Sequence, residues 1–145
     1  MQISIRRIGF LDSEFEDCFK IRLEVFVKEQ NVPLEEERDQ YDETALHFLA
    51  TVDGAALGTA RVILKDAGQA KISRVAVAKS ARRLGVGAAL IRHIEAEVTA
   101  KQFLLDAQTH ALPFYRRLGY AAYGDEFIEA GIAHFHMRKP GPGMA

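Results

Sequence analysis

Cysteine occurs once in this chain, at Cys18, so an intrachain disulfide and a cysteine-rich zinc site are both excluded. Charge of one sign is lacking too. The basic side chains number 19 and the acidic ones 20, a net of −1, which denies the chain the broad basic surface that nucleic-acid binding requires. No stretch approaches the roughly 18 consecutive apolar residues of a membrane span. Met1 leads directly into a polar–apolar alternation, so no membrane partner is expected and a reducing cytoplasm is the expected compartment. Internal repeats, low-complexity tracts and an interdomain linker are also missing. What is there is 145 residues, 48% apolar and 27% charged, the length and composition of one globular domain with a sizeable core. That domain is expected over residues 1–139. Residues 140–145 are expected to be a flexible tail, because a run of Pro, Gly and Ala after Lys139 has little to bury.

Periodicity supplies the elements. QISIRRI alternates and reads as a strand. From Ser13 to about Gln30 the spacing is helical, with Phe15, Phe19, Leu23 and Phe26 on one face, Cys18 beside them, and Asp12 or Ser13 as N-cap. A polar loop runs to about Thr44. The strands Ala45–Val52 and Ala56–Lys65 flank Asp53-Gly54, a strong hairpin signal, and Ala70–Ala78 is a further strand. Gly87, Leu90, Ile91, Ile94 and Val98 then recur at helical spacing to about Ala100. Phe103–Gln108 is a short buried strand, and Leu112–Leu118 a short helix stopped by Gly119. Ala121–Phe127 and Ile132–Arg138 close the chain as strands. The order β-α-β-β-β-α-β-α-β-β is that of an α/β (α+β) domain, with a mixed sheet of about six to seven strands flanked by helices.

At the entry to the longest amphipathic pattern stands RRLGVG, Arg82 to Gly87. A helix N-terminus offers unpaired N–H groups and the positive end of a dipole, and Gly85 and Gly87 let a ligand approach the backbone. Lys79, Arg82 and Arg83 add positive charge. A phosphate or pyrophosphate fits this stretch. So does a simple strand-to-helix turn with solvated arginines. A P-loop is excluded, since no Gly-Lys-Ser/Thr follows. A dinucleotide fingerprint is excluded by Leu90 and by the late position in the chain.

RRLGVG nevertheless resembles the Gln/Arg-x-x-Gly-x-Gly/Ala signature of GNAT-superfamily N-acetyltransferases. Downstream, FYRRLGY from Phe114 to Tyr120 resembles that family's second hallmark, in the right order and inside the right element order. The segments VFVKEQNVPLEEERDQYDETALH, AQTHALPFYRRLGY and EFIEAGIAHFHM are similar to the ElaA-like subgroup of small bacterial members. The resemblance covers nearly the whole chain. It implies a single-domain GNAT-like fold, acetyl-coenzyme A as cosubstrate, no metal, and transfer of the acetyl group to a primary amine by direct attack. The acceptor would be a small-molecule or peptide amine, and a homodimer is compatible with the family. A rival expectation is a non-catalytic acyl-coenzyme A binding or sensing domain on the same fold.

The same resemblance assigns residues. The backbone from Arg82 through Arg83, Leu84, Gly85, Val86 and Gly87 to Ala88 would hold the pyrophosphate. The pantetheine arm would pair with Val75, Ala76 and Val77, and an N–H near Val77 would polarise the thioester carbonyl. Phe114 and Tyr115 would lie beside the coenzyme, with Tyr115 hydrogen-bonding the departing thiolate. A lysine-like amine near a pKa of about 10.4 needs roughly 4–5 kcal/mol to expose its lone pair at pH 7, so a base is wanted. Some members carry a glutamate on the coenzyme strand, where this chain has Ser73. The replacement candidates are His110, at the end of the strand FLLDAQ, and His134, which shares a strand face with His136. His47 is a further histidine in a strand. His134 and His136 could chelate zinc only with a third ligand that spacing does not supply. The stretch from Glu35 to Glu43 holds six acids within nine residues. It could attract a cationic amine, or form a solvated, mobile loop. Glu29 and Asp42 are the weaker carboxylate candidates for a proton relay.

Overall fold

The structure, a computed structural model, describes residues 1–142. Seven strands build one mixed sheet: β1 (Ile3–Ile8), β2 (Leu46–Val52), β3 (Ala55–Leu64), β4 (Gln69–Val77), β5 (Gln102–Gln108), β6 (Ala121–Glu129) and β7 (Ile132–Pro140). Their spatial order is β1-β2-β3-β4-β5-β7-β6, and only the β4–β5 pair is parallel. A parallel pair needs a crossover connection, and α3 (Val86–Glu97) provides it. The β2–β3 connection is the expected tight turn, with Asp53 at φ 49° and Gly54 at φ 88°. Positive φ at both central residues is what a two-residue hairpin requires.

Alternation along β2 sends neighbouring residues into two different cores. Phe48 and Ala50 pack with α3, whose Val86, Leu90, Ile91 and Ile94 form a fully buried stripe. Leu49 packs on the other face, against α1 (Phe15–Arg22) through Phe15, Cys18 and Phe19. Each of those large apolar side chains contributes about 1.5–3 kcal/mol by leaving water. The two helices therefore sandwich β1 to β4, and α4 (Leu112–Arg117) packs on β5 and β6.

Three details depart from the sequence expectations. The first helix is not uniform, because Leu23–Glu29 continues α1 as π-helix. Val25 is buried where the sequence pattern points to Phe26, which is half-buried. Neither Asp12 nor Ser13 caps α1 with its side chain; Asp12 Oδ2 instead accepts from Gly9 N–H at 2.7 Å. Within the polar loop, α2 (Leu34–Glu37) forms a single helical turn. The tail begins later than expected. Pro140 ends β7, and Gly141 is buried with its N–H donating to Lys101 O at 2.8 Å. Residues 143–145 of that expected tail lie outside the described residues. No helix among the described residues is long and apolar enough to cross a membrane.

Candidate active site

The parallel pair at the centre of the sheet is only half formed. β4 and β5 are in register from Gln69–Gln102 to Ile72–Leu105, and beyond that level they part. The cause is visible in β4. Thr59 pairs with Ala76 and Arg61 with Ser73, so Arg74 and Val75 together oppose Ala60 alone. This is a β-bulge, with Arg74 at φ 51°, and a bulge bends its strand away from its neighbour. A cavity of about 540 Å³ opens where the strands separate, walled by the end of β4, the end of β5, the π-helical turn and Tyr115.

Backbone alternation fixes what β4 shows this cavity. Ala78 N–H donates to Leu57 O at 2.8 Å, on the β3 side. The Val77 amide therefore turns its N–H and C=O to the opposite side, into the gap. Arg82 confirms that direction, since its Nε donates to Val77 O at 3.1 Å. Its Nη2 donates at 2.7 Å to Glu29 Oε1, at the end of the π-helical turn. That contact draws the Glu29 carboxyl below its usual range.

The glycine stretch continues from Arg82, which lines the cavity. Gly85, at φ 87°, is the residue before α3, and Arg83 also has a positive φ of 72°. No side chain caps this helix. The first-turn N–H groups of Val86, Gly87 and Ala88 have no partner within the helix, and together with the dipole they suit an anion. Gly87 has a second reason to lack a side chain: a Cβ there would stand 3.3 Å from Phe114 Cζ. Phe114 thus supports the loop from behind, and it is Tyr115, not Phe114, that faces the cavity.

Tyr115 is held edge-on between Phe114 and Tyr120, with ring centroids 4.9 and 6.1 Å away. Burial pushes its phenol up to about 12, so it keeps its proton well beyond neutral pH. Tyr120 is engaged elsewhere, its hydroxyl donating to Glu95 at 2.8 Å.

The histidines separate by environment. His134 is 9% exposed and lines the cavity, with Nδ1 at 2.7 Å from Ile132 O. A carbonyl only accepts, so Nδ1 carries the hydrogen and the Nε2 lone pair is left for another partner. His110 also lines the cavity, with Nε2 at 2.7 Å from Gln108 Oε1. His136 pairs with Asp106 Oδ1 at 2.6 Å, on the same sheet face as His134 but outside the cavity wall. His47 is buried under α1 against Phe15, and burial lowers its pKa, so it takes no part in the cavity. Among the described residues no group of three His, Cys, Asp or Glu side chains is placed to hold a metal ion.

A sequence profile described as an acetyltransferase (GNAT) domain matches residues 12–140. The chain belongs to the GNAT acetyltransferase family. Acetyl-coenzyme A-dependent N-acetylation is the activity of that family, and the chain is an enzyme of this type. The uncharacterized N-acetyltransferase YjcF of Bacillus subtilis is 41% identical over 132 residues, covering 88% of this chain and 94% of that protein. Among solved structures, an acyl-CoA N-acyltransferase from Pseudomonas aeruginosa is 28% identical with a TM-score of 0.81, covering 95% of this chain and 99% of that one. Escherichia coli ElaA is 25% identical at the same TM-score and the same coverage.

In this GNAT acetyltransferase the acid-rich segment is not a solvated loop. Arg22, 1% exposed, donates from Nε to Glu37 Oε1 at 2.6 Å and from Nη1 to Asp42 Oδ1 at 2.8 Å. Arg61 Nη1 reaches Asp39 Oδ1 at 2.7 Å and Asp42 Oδ1 at 3.0 Å. Arg74 closes the network, its Nη2 lying 3.2 Å from Asp39 Oδ2. Burial alone would raise the Asp42 carboxyl, but the Arg22 hydrogen bond and charge, the Asp39 N–H and Arg61 hold it down at about 2. A carboxylate so held is a poor proton acceptor, which removes Asp42 as a relay. Ser73 accepts from Arg61 Nε at 3.1 Å.

Two features of the acetyltransferase site escaped the sequence. Asp106 lines the cavity from β5 and binds Lys71 Nζ at 3.0 Å as well as His136. Burial opposes ionisation of its carboxyl, and these two partners overcome it and lower the pKa. A lone acid inside the apolar run FLLDAQ, two residues before Gln108, was its available signal. Glu129, beside the β6–β7 turn, had no signal, because only the fold brings that turn to the cavity.

Proposed function

We propose that this enzyme transfers the acetyl group to a primary amine by direct attack inside the β4–β5 gap. One observation carries the reading: the strands part so that the Val77 N–H and C=O face a cavity that Tyr115 also lines. The pantetheine arm of acetyl-coenzyme A pairs with Val75, Ala76 and Val77 as an added strand. The N–H groups from Arg83 to Ala88 hold its pyrophosphate. Arg82 leaves Val77 O when that arm binds.

The amine nitrogen attacks the thioester carbonyl carbon, and the Val77 N–H receives the negative charge that forms on oxygen. As the C–S bond breaks, Tyr115 donates its hydroxyl hydrogen bond to the thiolate. A phenol held at about 12 remains a donor throughout neutral and mildly alkaline conditions. The proton lost by the attacking amine goes to His134 Nε2, whose lone pair the Ile132 carbonyl sets by holding Nδ1–H. His110 is the second candidate for that role. His110 is exposed while His134 is buried in the cavity wall, which favours His134.

The reading is tested with purified protein, acetyl-coenzyme A and a panel of primary amines, following free thiol release. Turnover with an amine is expected, and it should weaken in Tyr115→Phe and His134→Gln. Coenzyme binding with no turnover on a broad panel would overturn it in favour of a binding domain.

A further inference from the structure

The bulge at Arg74 turns β4 over as well as parting it from β5. Before the bulge, Ala70 and Ile72 pack in the core that holds α3. After it, Ala76 packs in the core that holds α1, and Val75 and Val77 take over the α3 side. The consequence reaches the cavity. Thr59 pairs with Ala76 and Gly58 with Val77, so it is Ala78 that spends its N–H on Leu57 O. Were the extra residue lost, pairing would run on from Arg61 and Ser73 without a break, and Val77 would stand opposite Leu57 in place of Ala78. Its N–H would then go to β3 and not into the cavity.

This arrangement is costly for Arg74. At φ 51° its Cβ crowds the backbone, and a residue so placed persists only where its surroundings hold it. Glycine would adopt that conformation freely. Here the side chain supplies the restraint. Nη2 donates to Asp39 Oδ2 and to Glu36 O, each at 3.2 Å, and Nε lies 3.4 Å from both Glu37 O and Glu37 Oε2. Asp39 bridges the bulge, because its Oδ1 accepts from Arg61 Nη1 at 2.7 Å on the facing strand. Arg61 also holds Ser73, the residue before Arg74. The anchor is fixed in turn: buried Arg22 binds Glu37, and Arg22 and Arg61 together bind Asp42.

We infer that Arg74 is a positioning residue for the transfer step: clamped by Asp39 and by the Glu36 and Glu37 carbonyls, it holds the left-handed bulge that leaves the Val77 N–H free. The inference rests on the transfer reading above for the role of that N–H. It gives the acidic segment a part in the chemistry, exerted through the backbone of β4 and not by contact with the reacting atoms.

The test sets Arg74→Gly against Arg74→Ala. Both remove the clamp, but only glycine takes φ 51° without strain. Arg74→Ala should lower kcat by about tenfold, the rate equivalent of the strain a Cβ meets at that φ. Arg74→Gly should stay within about threefold of the wild type, with KM for the amine unchanged. Asp39→Asn, which keeps Arg74 but weakens its clamp, should lower kcat by less than Arg74→Ala. Titration calorimetry with acetyl-coenzyme A follows the same gap without turnover, and affinity should rank wild type, Arg74→Gly, Arg74→Ala. That ranking in a protein that acetylates no amine would sink the transfer reading and leave Arg74 as the residue that holds the gap. Equal losses in the glycine and alanine variants would mean that the guanidinium itself meets a ligand, and would overturn the proposal. Wild-type kcat and affinity in Arg74→Ala would overturn it as well. Unfolding midpoints show whether Arg74→Ala folds; where it does not, Asp39→Asn carries the test, and an unchanged kcat in that variant counts against the clamp.

Discussion

Two charged loops flank the cavity, and they were built to opposite ends. The acidic segment from Glu35 to Glu43 spends its key carboxylates on Arg22, Arg61 and Arg74, with Arg22 wholly buried. The glycine stretch from Arg82 to Gly87 leaves its backbone N–H groups uncapped at the start of α3. One loop consumes its charge on Arg22 at the end of α1, Arg61 of β3 and Arg74 of β4. The other keeps its dipole for a ligand. Composition gives each loop the sign of its charge but does not say whether that charge is spent internally. Partner geometry does, and it divides the acidic segment: Glu37, Asp39 and Asp42 are internal counter-ions, while Glu35, Glu36 and Glu43 are exposed.

That contrast can be broken most directly at Arg22. Arg22→Ala leaves Glu37 and Asp42 buried without their main partner and should cost about 3–5 kcal/mol of stability. Urea unfolding measures it. A loss below about 1 kcal/mol would mean the segment is solvated after all, since exposed ion pairs contribute only that much. On the donor side the largest effect should be kinetic. Tyr115→Phe should lower kcat by about a hundredfold, within the usual range for a positioned proton donor, while coenzyme binding and the unfolding midpoint change little. Because the phenol is held at about 12, wild-type kcat should show no decline from Tyr115 ionisation between pH 8 and pH 10.

Acid sharpens the comparison further. The Asp42 carboxyl is depressed from 3.8 to about 2, so its stabilisation is fully present above about pH 4. It is lost as pH falls through the folded value. Over that window the protein should lose about 2 kcal/mol through this one group, and Arg22→Ala should abolish that part of the dependence. Acid titration of the unfolding free energy reads both. The smallest effect belongs to Gly85→Ala. A Cβ there meets nothing within 4 Å, so only the strain of φ 87° is felt, about 1 kcal/mol. KM for acetyl-coenzyme A should rise while kcat holds, and an unchanged KM would remove this loop from the donor site.

Much of the fold was legible because its signals are local. The alternation in β1, the Asp53-Gly54 turn and the Leu90–Ile91–Ile94 stripe each concern residues a few positions apart, and the motif pair RRLGVG and FYRRLGY sits in the predicted order. The π-helical turn was not legible, because Leu23, Val25, Phe26 and Val27 are all apolar and the sequence does not say which of them turns inward. Of the residues singled out in the sequence, Tyr115, His134, His110 and Arg82 line the cavity, and Phe114 does not.

By itself, then, the sequence determined the element order, the two apolar cores and the family signature that follows β4, because periodicity and short motifs are written along the chain. The tertiary structure alone decided which charges are available. Arg22 meets Asp42 across 20 positions, Arg61 meets Asp39 across 22 and Arg74 meets Asp39 across 35. No linear pattern encodes such pairings. The β4 bulge is of the same kind. A single unpaired residue in a ladder is invisible in the string ISRVAV, and it is what parts β4 from β5 and opens the site.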